Sequence, residues 1–425
     1  MKAVRKIISL LLVLTMALAL ASCAGRDVPP EETTAESTQK AEEIGVNVTP
    51  DEISSRTLTD EDVKKLAEVY VNFFKTTTDS NKKSSLVSPL SIITALGMTA
   101  DGAAGNTKAQ FEKLFGMTTE QLDAVMSYYY GQLKSSEKVK FNYANSIWYT
   151  SREDIKVLDS YLSRVLGAYA PQLYTVNFRD AATVGKINSW VDEHTDGMIK
   201  KIVEDLDPAT LMVLMNALVF DAKWADPYED IFCYDRTFTS YNGVKKSVPT
   251  LNSSEYMYLT INDATGFAKN YEGGDYKFVA LLPDAGVDVY DFVNSLNGET
   301  LMKALNNVSY ERVITSMPKF KYDYDITLNE ALGSLGLKDA FTDHADFTEM
   351  IEGGGIKISK VIHKTHIEVD NAGTKAAAVT AVIMEATSAG PIGQPKSVII
   401  DRPFVYFIVD SEYNLPVFMG IVTEI

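Results

Sequence analysis

The chain has 425 residues, 46% hydrophobic and 23% charged, an ordinary globular composition with length enough for a large core. A formal net charge of −17 excludes a non-specific nucleic-acid binder, which needs a basic surface to displace counterions. Two cysteines, Cys23 and Cys233, permit at most one disulfide, and none if Cys23 is acylated, in which case stability must come from the core alone.

In chain order, the first element is an export signal: Lys2, Arg5 and Lys6, then an apolar run from Ile7 to Ala21, too short for a comfortable membrane span. Its end, Leu20-Ala21-Ser22-Cys23, resembles a bacterial lipobox, in which Cys23 is lipid-modified and becomes the new N-terminus. That reading makes 1–22 a signal peptide and holds the protein at the outward face of a bacterial membrane, in the extracellular space or at the cell surface. The plainer alternative is a secretory signal with a chance cysteine. Residues 23–56 are polar and acidic, as expected of a flexible linker. A single domain, 57–425, follows without a second linker or an internal repeat.

Thr59 caps a helix whose apolar positions are Val63, Leu66, Val69, Tyr70, Phe73 and Phe74. Further helices are predicted over 89–103, 106–116, 119–134 and 182–203. Strand-like runs come later, at 211–224, 276–283, 311–326, 357–369, 396–410 and 416–423. Strands clustered after helices, without steady βα alternation, predict an α+β fold with largely antiparallel sheets.

Signs of enzyme chemistry are sparse. Of four histidines, His363 and His366 form H-x-x-H, but an offset of three on a strand points the rings to opposite faces, which predicts no metal site. No G-x-S-x-G, phosphate-binding glycine loop or C-x-x-C is present. A Ser-His-Asp triad assembled only in the fold stays open as an alternative.

Several stretches, in order, resemble the serpin family. They are "SLVSPLSIITALGMTADGAAGNTKAQF" (85–111), "INSWVDEHTDGMIKKIV" (187–203), "VLMNALVFDAKWADPY" (213–228), "MPKFKYDYDITLNEALGSLGLKDAFTDHADFTEM" (317–350), "ISKVIHKTHIEVDNAGTKAAA" (358–378) and "DRPFVYFIVDSEYNLPVFMGIV" (401–422). The resemblance implies a serpin fold: helices around three largely antiparallel sheets, with an exposed reactive-centre loop. It implies that Ser88, Ser91, Asn216 and His363 form the shutter, where the main sheet parts, and that Trp224 is the breach tryptophan above it. It implies a mechanism too: a serine protease cleaves the loop, an acyl-enzyme forms, and the freed loop inserts into the main sheet as a strand.

The loop "GTKAAAVTAVIMEATSAGPIGQP" (373–395) meets the demands of insertion on its own terms. A central strand cannot contain Pro, and the first Pro after Gly373 is Pro391. Alternation puts Thr374, Ala376, Ala378, Thr380, Val382 and Met384 on one uncharged face. The small residues Gly373, Thr374, Ala376, Ala377 and Ala378 make the hinge, Gly373 supplying backbone freedom. The hinge departs from the family at Asn371, where Glu is usual, at Ala372, where a charge is usual, and at the bulkier Val379. Family spacing puts the scissile bond at Thr387-Ser388, with Met384-Glu385, Ala386-Thr387 and Ala389-Gly390 as alternatives. Small uncharged residues there imply an elastase-like or subtilisin-like target, bound covalently by a monomer without a cofactor. The competing expectations are a non-inhibitory serpin-fold binding or scaffold protein and an unrecognised hydrolase.

Overall fold

The computed structural model describes residues 48–78, 82–133, 135, 138–374 and 395–425. The calls on Cys23, Ala376, Ala377, Ala378, Met384, Glu385, Ala386, Thr387, Ser388 and Ala389 therefore lie outside the described residues.

Helix α1 spans Asp60–Thr77, and its start is doubly secured. Thr59 and Asp62 cap each other's backbone N–H, and Arg56 grips the Asp62 carboxylate with two guanidinium nitrogens at 2.5 and 2.8 Å. Leu66, Tyr70, Phe73 and Phe74 are buried, as the helical spacing predicts. Ser88 caps α2 (Pro89–Ala100), which begins with Pro at its first position and is buried along almost its whole length. Four more helices follow: α3 (Gly105–Phe115), α4 (Thr119–Gln132), α5 (Asp159–Tyr169) and α6 (Ala182–His194). Late in the chain come the short α7 (Val289–Ser295), α8 (Gly298–Asn306) and α9 (Asn329–Ser334).

Among the described residues two sheets carry the strands. A nine-stranded sheet runs in the order β1 (Ser85–Val87), β15 (Pro416–Val422), β14 (Phe404–Asp410), β8 (Tyr276–Pro283), β7 (Ala264–Asn270), β6 (Lys245–Ile261), β9 (Ser309–Pro318) and β13 (Lys396–Ile399), with β5 (Cys233–Thr239) paired to β6. Strands β8, β14 and β15 are buried at every position, which explains why they read as unbroken apolar runs rather than alternating ones. The six-stranded sheet runs β10 (Phe320–Thr327), β11 (Ile362–Val369), β12 (Gly373–Thr374), β4 (Met212–Lys223), β2 (Val139–Thr150) and β3 (Gln172–Val176). Strand β12 is antiparallel to both neighbours, so β4 and β11 run parallel to each other.

Several predicted elements change extent. The helix expected over 182–203 stops at His194, because Asp196 and Gly197 adopt positive φ of 49° and 74°. The run 311–326 divides at Lys319 into β9 and β10, which belong to different sheets, and 396–410 divides before Pro403 into β13 and β14. Strand β11 begins at Ile362 rather than 357.

Residues 48–56, assigned from composition to the linker, lie against α4 and α5. The Asp51 N–H donates to Ser163 O at 2.9 Å, Ser163 Oγ donates to Thr49 O at 2.7 Å, and the Arg56 N–H donates to Ala124 O at 3.3 Å. Gly167 permits this contact, since a Cβ there would strike the carbonyl oxygen of Asp51. The packed chain thus begins no later than Val48 rather than at 57.

Candidate functional site

The central gap of the six-stranded sheet is the feature that positions every described candidate residue. Among the described residues no ladder joins β4 directly to β11. They are bridged only by β12, where Gly373 pairs with Lys223, and Thr374 pairs with Ala222 on one side and Val369 on the other. The first two loop residues therefore stand in the sheet as the start of a strand.

Three of the four shutter candidates come together. The Ser88 N–H donates to His363 Nε2 at 3.0 Å, Ser88 Oγ donates to Val417 O at 2.9 Å, and the Ser91 N–H donates to Ser88 Oγ at 3.2 Å. This ties the start of α2 to β11 and β15. Burial without a compensating charge pushes His363 down to about 4, so near neutral pH the ring is uncharged and Nε2 is free to accept. Asn216 sits on the far side of the gap. Its Nδ2 donates to Asn145 Oδ1 at 2.7 Å, and Asn145 Nδ2 in turn donates to Tyr169 O, at the end of α5, at 2.8 Å. Among the described residues the buried Oδ1 of Asn216 has no hydrogen-bond partner. Among the described residues, hydrogen bonds join Ser88, Ser91 and His363 to one another and Asn216 to Asn145, but none links the two groups.

At the top of the gap Trp224 is 1% exposed and ties down the hinge. Its Nε1 donates to Asp370 O at 2.9 Å and its backbone N–H to Ala372 O at 3.0 Å, while the ring stacks on Tyr271 at 4.6 Å. The Asp370 carboxylate accepts from Ala372 N–H at 2.7 Å and Gly373 N–H at 3.1 Å, closing a tight turn before the strand. Asn371, one of the two family departures just before the hinge glycine, accepts from Lys319 Nζ at 3.1 Å and donates to Asp230 at 3.2 Å. Gly373 has a role other than the expected backbone freedom: a Cβ there would collide with the Ala222 carbonyl and the Lys223 Cα. Its φ is not in the left-handed region, so close strand approach is what excludes a side chain.

Two other histidines, His194 and His366, make different contacts. His194 Nδ1 meets Trp190 O in its own helix at 2.7 Å, and His366 pairs with Asp323 at 2.6 Å on the face opposite His363. Among the described residues no serine hydroxyl is bonded to a histidine ring, and no group of three or more His, Cys, Asp or Glu side chains could hold a metal.

Sequence reasoning missed Asn145, Tyr271 and Lys319. Asn145 lies in 139–150, a stretch left unassigned, where several polar residues interrupt the strand-like pattern and none marks Asn145 from its neighbours.

Helices packed on sheets, with one sheet entered at its centre by the first two residues of a loop, define an α+β protein of a recognisable class. The chain belongs to the serpin family: the family model for serpins, serine protease inhibitors, matches residues 64–425. An uncharacterized serpin-like protein of Thermococcus kodakarensis is 32% identical over 352 residues, 80% of this chain and 80% of that protein. Alpha-1-antiproteinase of Bos taurus is 29% identical over 351 residues, 80% of this chain and 82% of its own length. Among solved structures, the native state of the thermophilic serpin tengpin matches with a TM-score of 0.85 and 37% identity, over 91% of this chain and all of that one. Its latent state matches with a TM-score of 0.78 and 35% identity, over 87% of this chain.

Proposed function

We propose that the protein is a suicide-substrate inhibitor of serine proteases, lipid-anchored through Cys23 at the outward face of a bacterial membrane. The observation that carries this reading is β12: two loop residues already paired between β4 and β11, with no ladder joining those strands directly among the described residues. Strand addition can extend from such a start, each further residue gaining backbone hydrogen bonds on both sides.

In this reading the protease serine Oγ attacks the carbonyl of the residue before the scissile bond. The peptide bond breaks, an ester to the protease forms, and the new amine leaves with a proton. Insertion of the freed strand then carries the acylated protease away before water reaches the ester. Small residues around Thr387-Ser388 fit an elastase-like or subtilisin-like pocket.

The test is to mix the full chain with an elastase-like protease and examine the products under denaturing conditions. A covalent band that survives, together with release of the C-terminal fragment, supports the reading. Quantitative cleavage without that band refutes it in favour of a non-inhibitory serpin.

A further inference from the structure

The hinge contains a contact that the inhibitory reading does not require. The Tyr271 hydroxyl and Thr374 Oγ1 share a hydrogen bond of 2.5 Å, and among the described residues Tyr271 Oη has no other partner. Both residues are buried, Tyr271 at 0% and Thr374 at 2% exposure. The tyrosine ring has little freedom to follow a moving partner. It stacks on Trp224 at 4.6 Å, takes the edge of Phe220 at 4.9 Å, and its backbone N–H is held by Tyr276 O at 3.0 Å. A hydroxyl so fixed is a stationary marker on the floor of the gap. Buried without a partner, it would be costly.

The loop offers that marker few matches. By period-two alternation in the sequence, the positions that would share a face with Thr374 two residues away are Ala372 and Ala376, and neither has a hydroxyl. The next hydroxyl on this face is Thr380. A strand displaced by two residues would therefore leave Tyr271 Oη unpaired, and one displaced by a single residue would turn the wrong face inward.

We propose that Tyr271 is the positioning residue of the hinge: its fixed hydroxyl selects a hydroxyl-bearing residue at position 374 and sets the register in which the loop strand enters between β4 and β11. Its consequence for inhibition rests on the inhibitory reading; the register lock itself does not.

Amide hydrogen exchange across residues 370–376 of the full-length protein tests the lock in the absence of any protease. Tyr271→Phe keeps the ring and removes one hydroxyl, Thr374→Val keeps the shape and removes the other, and Thr374→Ser restores the bond. Each of the first two is expected to raise hinge exchange about five- to tenfold, as loss of one buried hydrogen bond should. The double variant should exchange no faster than either single one, and Thr374→Ser should stay near wild type. Exchange unchanged in Tyr271→Phe, or effects that multiply in the double variant, would overturn the lock. Complex formation by the same variants is scored separately. A wild-type protein that forms no covalent complex refutes the inhibitory reading and leaves the exchange result standing. Normal complex with unchanged exchange refutes the lock alone.

Discussion

Under the proposed inhibitory function, replacing Thr374 with Arg should turn the protein from an inhibitor into a substrate. Thr374 is 2% exposed, and Tyr271, Ala222 and Val369 beside it offer no carboxylate to a guanidinium. Burying an unpaired charge costs several kcal/mol even after local relaxation. The arginine would instead hold the hinge out of the gap, and insertion would start from a less favourable state. A penalty of only about 3 kcal/mol in the insertion step slows it by about a hundredfold. Because insertion competes with hydrolysis of the ester, the partition shifts toward cleaved, released protein. The assay is a titration of protease by the variant, scoring the fraction in covalent complex against the fraction cleaved and released. Cleavage should proceed at the wild-type rate while the complex nearly disappears. A Thr374→Arg protein that traps protease with wild-type stoichiometry would refute the placement of this residue in the insertion path.

Three further outcomes test the structure directly. His363 is held uncharged in the fold, so below the ordinary histidine value of 6.5 the unfolded chain binds a proton that the folded chain does not. Its stabilising contribution is complete above 6.5 and is lost as pH falls toward about 4. At about 1.4 kcal/mol per pK unit, urea unfolding should show wild type losing about 3 kcal/mol more than His363→Gln across that window; parallel curves would refute it. Arg56→Ala frees the buried Asp62 carboxylate from its two-pronged partner, and thermal unfolding should show a loss of about 1 kcal/mol, discounted for the exposure of Arg56. Gly167→Val puts a side chain where the Asp51 carbonyl rests, so limited proteolysis should cut within 48–56 in the variant and not in wild type.

The reach of the sequence differs from element to element. Helix α1 and its cap were legible because capping and 3.6-residue periodicity are local signals. Ser88, His363 and Trp224 were found through family motifs; the Ser88 N–H bonds the His363 ring and the Trp224 indole bonds Asp370 O. Asn216 was found as well, but its bond to Asn145 was not, because that pairing joins residues 71 positions apart. Tyr271 was hidden for the same reason: its partner Thr374 is 103 positions away, and nothing local marks a buried tyrosine as a register mark. Hydrophobic runs spanning 311–326 and 396–410 concealed breaks between strands, since period-two pattern continues through a short connection while the chain changes sheet or direction. The same limit applied to residues 48–56, whose polar composition conceals backbone hydrogen bonds to α4 and α5.

The most direct test of strand insertion needs no knowledge of the target protease. The full chain is nicked within 375–394 by a non-target protease, and the unfolding temperature of the nicked, two-chain protein is compared with that of the intact one. If the loop completes the sheet that β12 begins, the nicked form should unfold far above the intact form. An unchanged or lower unfolding temperature would contradict the account.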